Sequence, residues 1–170
     1  ALSVTIKGKQ PQEGGSLVQV ENSVERHVSF VSDLLLTAES LHSTSPFPNT
    51  GPIPPKASQI TTYTIAWTIT NSSNLVRDAK VKAVLPSYVT YTGIISPVGE
   101  SISYNPTTRE VTWTVGDVAR GAGLTGAALK AYFQVSITPS LSQVGSQPLL
   151  TEQSVLSGYD TYARKVLENT

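Results

Sequence analysis

Cysteine does not occur in this chain, and neither does methionine. Without thiols, a disulfide framework, a thiolate metal site and a cysteine nucleophile are all excluded, and nothing in the chain depends on compartment redox. With no methionine and an alanine at position 1, the sequence reads as a processed product or an excised fragment. Charge is scarce too: 14% of the residues are Asp, Glu, Lys or Arg, against roughly 25% in average globular proteins. The 12 basic and 12 acidic side chains cancel. A surface without net charge exerts no long-range pull on phosphate backbones or anionic lipid, so neither nucleic acid nor a membrane surface is expected as a partner. No apolar run approaches the roughly 18 residues of a spanning helix, and no basic and apolar leader precedes Ala1. Direct membrane insertion of this stretch is therefore not expected, and any signal peptide or anchor lies outside it.

What is present is alternation. Tyr63, Ile65, Trp67 and Ile69 alternate with Thr62, Thr64, Ala66, Thr68 and Thr70. Ala79, Val81, Ala83 and Leu85 alternate with Lys80, Lys82 and Val84; Val111, Trp113 and Val115 alternate with Thr112 and Thr114; Phe133, Val135 and Ile137 alternate with Gln134 and Ser136. A period of two places each apolar set on one face of an extended segment, which predicts strands; a helix needs spacings of three and four. Trp67 and Trp113 fall in phase with these sets and are expected in the core rather than as sugar-stacking platforms.

Turn chemistry separates the runs: Asn71-Ser72-Ser73-Asn74, then Pro86-Ser87, then Asn105-Pro106-Thr107-Thr108, the last predicting a hairpin between Ile102–Tyr104 and Val111–Trp113. Residues 119–128 are small and glycine-rich, suited to a connection that crosses between sheets; their spacing matches neither dinucleotide nor P-loop fingerprints. Five prolines crowd residues 46–55, which excludes a central strand and predicts a stiff extended loop. A chain of 170 residues can bury about 70% of its unfolded surface, enough for a self-sufficient core. The expected fold is all-β: an immunoglobulin-like Greek-key sandwich of two antiparallel sheets over residues 32–170. Residues 1–31 predict three short strands, around Leu2-Val4-Ile6, Val18-Val20 and Val28–Phe30, too small to fold alone. They are expected to dock on the main domain, on a preceding repeat or on a neighbouring copy.

The block from Thr61 to Asn74, followed by Val81-Lys82-Ala83-Val84-Leu85-Pro86 and Tyr88-Val89, resembles a conserved repeat of bacterial and archaeal surface proteins, the eleventh of the domain-of-unknown-function series. Ile102–Pro106 leading into Val111–Gly116, and Phe133-Gln134-Val135 with Pro139–Gly145, extend the likeness, which covers residues 33–160. With Asn49–Pro55 ahead of the first central strand, the sequence looks most like copies in long surface proteins of small-genome, uncultured bacteria. The resemblance implies an immunoglobulin-like fold, an extracellular setting on the bacterial cell surface, repetition within a longer protein, and no defining catalytic residues.

The residues that could carry chemistry favour plain readings. His27 and His42 lack a neighbouring histidine or cysteine, and metal ligation would need distant carboxylates. The serines sit in turn or strand-exterior contexts, and no nucleophile elbow is present. Glu100, Glu110 and Asp117 read as solvated acids rather than a glycosidase pair. Lys7, Lys130 and Asn169 are weak candidates for an intramolecular isopeptide bond, and Lys80 and Lys82 face away from the core. Asn71-Ser72-Ser73 forms a glycosylation sequon, with a turn asparagine as its plain explanation. No catalysis, cofactor or metal is expected. The expected function is a structural spacer, lattice or filament module whose partners are copies of itself or neighbouring domains, joined by strand addition, with Leu2, Val4 and Ile6 in contact. The alternative is an adhesin that binds a glycan or host-cell ligand through the 46–55 and 119–128 loops, with Phe47 in contact and Tyr88 and Tyr91 completing an exposed aromatic cluster.

Overall fold

The computed structural model describes residues 2–26, 30–143 and 145–170. His27 and most of the expected Val28–Phe30 strand lie outside the described residues. The chain divides into two compact units, residues 1–30 and 31–170.

The first unit is a single antiparallel hairpin of β1 (Leu2–Pro11) and β2 (Leu17–Arg26), joined by a turn that the Gln12 amide closes on the Ser16 carbonyl at 3.0 Å. The strands are ten residues each, longer than the short apolar stretches predict. Gly8, Gln10 and Asn22 continue the ladder opposite Val20, Val18 and Ile6, because the pairing runs through the backbone and tolerates a polar or missing side chain. The register puts Leu2, Val4 and Ile6 on one face with Val18, Val20 and Val24. The other face carries Thr5 opposite Ser23 and Lys7 opposite Glu21, whose charges pair at 3.4 Å.

The second unit is a β-sandwich of two antiparallel sheets. One sheet runs β3 (Leu34–Leu41), β4 (Thr61–Asn71), β9 (Leu129–Ile137), β6 (Val89–Ser96). The other runs β11 (Lys165–Asn169), β10 (Val155–Asp160), β5 (Val76–Val84), β8 (Glu110–Val118), β7 (Ile102–Asn105). Strands β3, β4, β9 and β6 occupy the A, B, E and D places of an immunoglobulin sandwich, and β5, β10 and β11 occupy C, F and G. The β7–β8 hairpin, inserted in chain order between β6 and β9, takes the free edge of β5. Its turn is the expected one, with Asn105 Oδ1 accepting the amides of Thr107 and Thr108. The glycine-rich connection crosses from β8 to β9 in the opposite sheet, and the Gly121 carbonyl gathers the amides of Leu124, Thr125 and Gly126 into a tight turn.

The alternating apolar positions meet between the sheets. Trp67 from one sheet stacks on Trp113 from the other at 6.5 Å and 13°, and Phe133 meets Trp67 edge-on at 4.8 Å. Both indoles are buried, and both N–H groups are satisfied: Trp67 Nε1 donates to Ser154 Oγ at 3.1 Å, and Trp113 Nε1 to Glu100 Oε2 at 2.8 Å. Aromatic bodies with bonded polar ends are what a buried tryptophan requires.

These contacts correct two readings. Glu100 is the acceptor for a core indole rather than a solvated loop acid, and Ser154, with Ser32, is buried instead of lying on a strand exterior. Asn71, whose plain reading is a turn asparagine, braces the turn that follows β4. It ends β4 fully buried, its Nδ2 reaching the carbonyls of Asn74 at 2.7 Å and Ala119 at 3.0 Å, so the folded sequon has no exposed amide to glycosylate.

Candidate functional site

The inward row of β3 is Leu34, Leu36, Ala38 and Ser40, each in register with the inward side of β4, where Leu36 opposes Ile69, Ala38 opposes Trp67 and Ser40 opposes Ile65. Leu34 is buried and Leu36 half-buried, but Ala38 and Ser40 are exposed. The change follows from side-chain size and from the approach of the opposite sheet: small side chains replace leucines, and the last residues of β11 approach β3 near Leu36, whose amide donates to Asn169 Oδ1 at 2.9 Å. Beyond that point the sandwich is open. A groove of about 540 Å³ lies there, floored by Ala38, Ser40, Tyr63, Ile65 and Ile137, with Glu39 at its rim.

Two segments wall the groove. Pro54 and Pro55 form one side and Pro148-Leu149-Leu150 the other. The second wall is tied down by the Tyr88 hydroxyl, which donates to the Leu149 carbonyl at 3.0 Å, and by Glu152, whose amide donates to the Val84 carbonyl at 2.8 Å. The first belongs to the proline-rich loop, which is stiff for a reason beyond its prolines. Asn49 Nδ2 donates to the His42 carbonyl at 3.0 Å and to Thr64 Oγ1 at 2.9 Å, while its Oδ1 accepts from Gln134 Nε2 at 3.0 Å. The loop is thereby fastened over the outer face of β4 and β9, which buries Thr64 and Gln134.

Gly51 lets the loop pass. Its φ is +100°, and a Cβ there would meet the Ile60 carbonyl oxygen and sit 2.6 Å from Thr61 Cα. Both obstacles are backbone and cannot step aside. Gly51→Ala is expected to cost about 2 kcal/mol or more, read by chemical denaturation as a lower midpoint at unchanged slope.

The chemistry of the groove is apolar with little else. Burial pushes the Tyr63 phenol above its ordinary value, so it stays a neutral hydroxyl. His42 meets Tyr63 edge-on at 5.7 Å. Among the described residues no group of three His, Cys, Asp or Glu could hold a metal ion. Glu110 and Asp117 sit at opposite ends of β8, about 23 Å apart at ~3.3 Å per residue, and each has its own cation: Lys82 at 2.9 Å and Arg77 at 4.0 Å. Lys82 holds the Glu110 carboxyl below its ordinary value. All seven lysines are exposed, which leaves none desolvated as an isopeptide nucleophile requires; the Asn169 amide oxygen is engaged with Leu36.

The aromatic residues expected to cluster do not. Phe47 borders a shallow, polar hollow of about 350 Å³ with His42, Ser45 and Asn49, and neither tyrosine lines it. Tyr91 instead stacks on Tyr104 at 5.0 Å, packed against the core, and Tyr88 fastens the groove wall. Leu2, Val4 and Ile6 are 62%, 55% and 70% exposed on the apolar face of the hairpin. The groove itself was not legible in the sequence; its one signal is the switch from leucine to Ala38 and Ser40 along β3.

No protein-family model matches the chain, and no curated protein matches it. Among solved structures it is similar to the Fcho1 Mu homology domain of Danio rerio with bound Eps15 peptide, at 14% identity and a TM-score of 0.41, covering 89% of this chain and 47% of that one. It is similar also to BcpA, the major pilin subunit of Bacillus cereus, at 10% identity and a TM-score of 0.41, covering 97% of this chain and 46% of that one. The chain thus spans about half the length of each. Likenesses this distant carry no function across, and the assignment of the sandwich rests on its own strand order.

Proposed function

We propose that the chain is a structural, non-catalytic module of a bacterial cell-surface protein, serving as a spacer, lattice or filament unit, as implied by the surface-protein repeat it resembles. The observation that carries this reading is the use made of buried polar groups. Asp160, Asn71, Ser154, Gln134 and the half-buried Asn49 each hold a loop or an indole in place. Arg109 does the same from the surface, donating to the carbonyls of Leu85 at 3.0 Å, Pro86 at 2.6 Å and Val89. Such bracing suits a unit whose task is to keep its shape.

Immunogold labelling of intact source cells with antibody against residues 31–170 tests the setting. Label outside the envelope in regular arrays or filaments is the expected result, and label confined to the cytoplasm would overturn it. A glycan array addresses the adhesin alternative. No glycan is expected to be retained; retention that disappears in Phe47→Ala would replace the structural reading with an adhesive one.

A further inference from the structure

We propose that β1 of one copy adds to the free edge of β3 in a second copy, with Leu2, Val4 and Ile6 entering the open groove. The proposal rests on the structural-module reading and deepens it by naming the partner and the acceptor.

The donor is incomplete as it stands. Among the described residues β1 pairs only with β2, and the apolar positions of this two-stranded ribbon, Leu2, Val4 and Ile6 with Val18, Val20 and Val24, are exposed. A lone hairpin is at best marginally stable in water and becomes firm when its apolar face is covered. The second edge of β1 carries unpaired backbone groups, the ready template for strand addition.

The acceptor is the complementary shape. Among the described residues β3 is an edge strand with β4 as its one ladder partner. Because the Leu36 amide points away from β4 to Asn169, the backbone groups of Ala38 and Ser40 point the same way, along the open edge. Their side chains are small and lie over an apolar floor. Side chains on one face of a strand recur every ~6.6 Å, so an added strand with Leu2, Val4 and Ile6 facing inward fills the groove at the spacing β3 sets.

Charge agrees with this placement. With those three inward, Ser3, Thr5, Lys7 and Lys9 share the outer face with Thr37 and Glu39, and β1 contributes no acid beside Glu39. A second copy is the partner this pair of edges calls for: each copy carries one donor strand and one acceptor edge, so copies joined head to tail satisfy both, as a filament or lattice unit requires.

The absence of cysteine makes a clean test. Full-length chains carrying Leu2→Cys, Val4→Cys or Ile6→Cys are each mixed with chains carrying Ser40→Cys and oxidised. The expected result is a disulfide between copies at the position in register, lost when Ile6→Lys is added to a Leu2→Cys or Val4→Cys donor, with the affinity between copies falling about tenfold or more. Circular dichroism and tryptophan emission of the Ile6→Lys chain should match the parent. No crosslink between copies overturns the proposal. So does a disulfide within one chain carrying both cysteines, which places its own hairpin in the groove, and so does a disulfide joining two Val4→Cys chains in place of the bond to Ser40→Cys, which pairs hairpin with hairpin. Surface labelling without the crosslink defeats this proposal alone; the crosslink without surface labelling defeats the structural-module reading alone.

Discussion

Replacing Trp67 by alanine is expected to lower the melting temperature of the full chain by about 10–20 °C. Large aromatic truncations in a core cost about 3–5 kcal/mol, and for a domain of this size each kcal/mol moves the midpoint by a few degrees. Trp67 belongs at the upper end. It is fully buried, stacks on Trp113 across the two sheets and takes Phe133 against its edge, so its removal opens a void that three elements line. It also leaves Ser154 Oγ, itself buried, without its donor. Trp67→Phe refills most of the volume while still orphaning Ser154, and should fall between parent and alanine. A loss under about 1 kcal/mol for Trp67→Ala would show that the indole is not in the core. The measurement is a denaturant or thermal melt followed by circular dichroism.

The second large effect belongs to Asp160. This carboxylate is fully buried at the end of β10. Burial alone would push its carboxyl up. The amide of Ala163, the side-chain amide of Asn74, and the amides of Ser32 and Tyr162 outweigh that and hold it below the ordinary aspartate value. A carboxyl lowered in the folded state binds its proton less readily there than in the unfolded chain. It therefore contributes stability in full above the unfolded value of about 3.9 and loses it as pH falls toward the folded value. The parent should weaken steeply below about pH 4. Asp160→Ala removes the acceptor shared by the amides of Ser32, Tyr162 and Ala163 and the side-chain amide of Asn74, and at about 1–3 kcal/mol for each buried group left unsatisfied, with partial relief by water, a net loss of about 3–5 kcal/mol at neutral pH is expected. Its stability curve should also be flatter across the acid range than the parent's. Melts of both proteins between pH 3 and pH 7 decide the matter; parallel curves would mean that Asp160 carries no acid sensitivity.

The sequence disclosed those parts of the fold whose cause is local. Strands β4, β5, β8 and β9 carry strict alternation with β-branched and aromatic residues, and the β7–β8 turn carries its own asparagine and proline. Strand β3 is not legible in the sequence, because Leu34-Leu35-Leu36 has no period and the alternation begins only where the apolar residues stop. Strands β10 and β11 are short, and Gly158 interrupts the pattern of β10. Asp160 could not have been singled out: two of its partners, Ser32 and Asn74, lie 128 and 86 residues away. The groove is equally non-local. It arises where one strand outruns the sheet facing it, a difference in length between elements that are distant in sequence. Glu100 was legible only as an acid in a loop, since what makes it structural is an indole 13 residues on that turns toward it.

The paired tryptophans have an optical consequence. Residues 1–30 contain no tryptophan, so all indole fluorescence arises from one spot inside the sandwich. Emission from a dry, stacked pair should be blue-shifted and move to the red only when the two sheets part. The hairpin is dark in this signal: its melting, its docking or its removal can be followed by other means while the indoles report, undisturbed, on the sandwich alone.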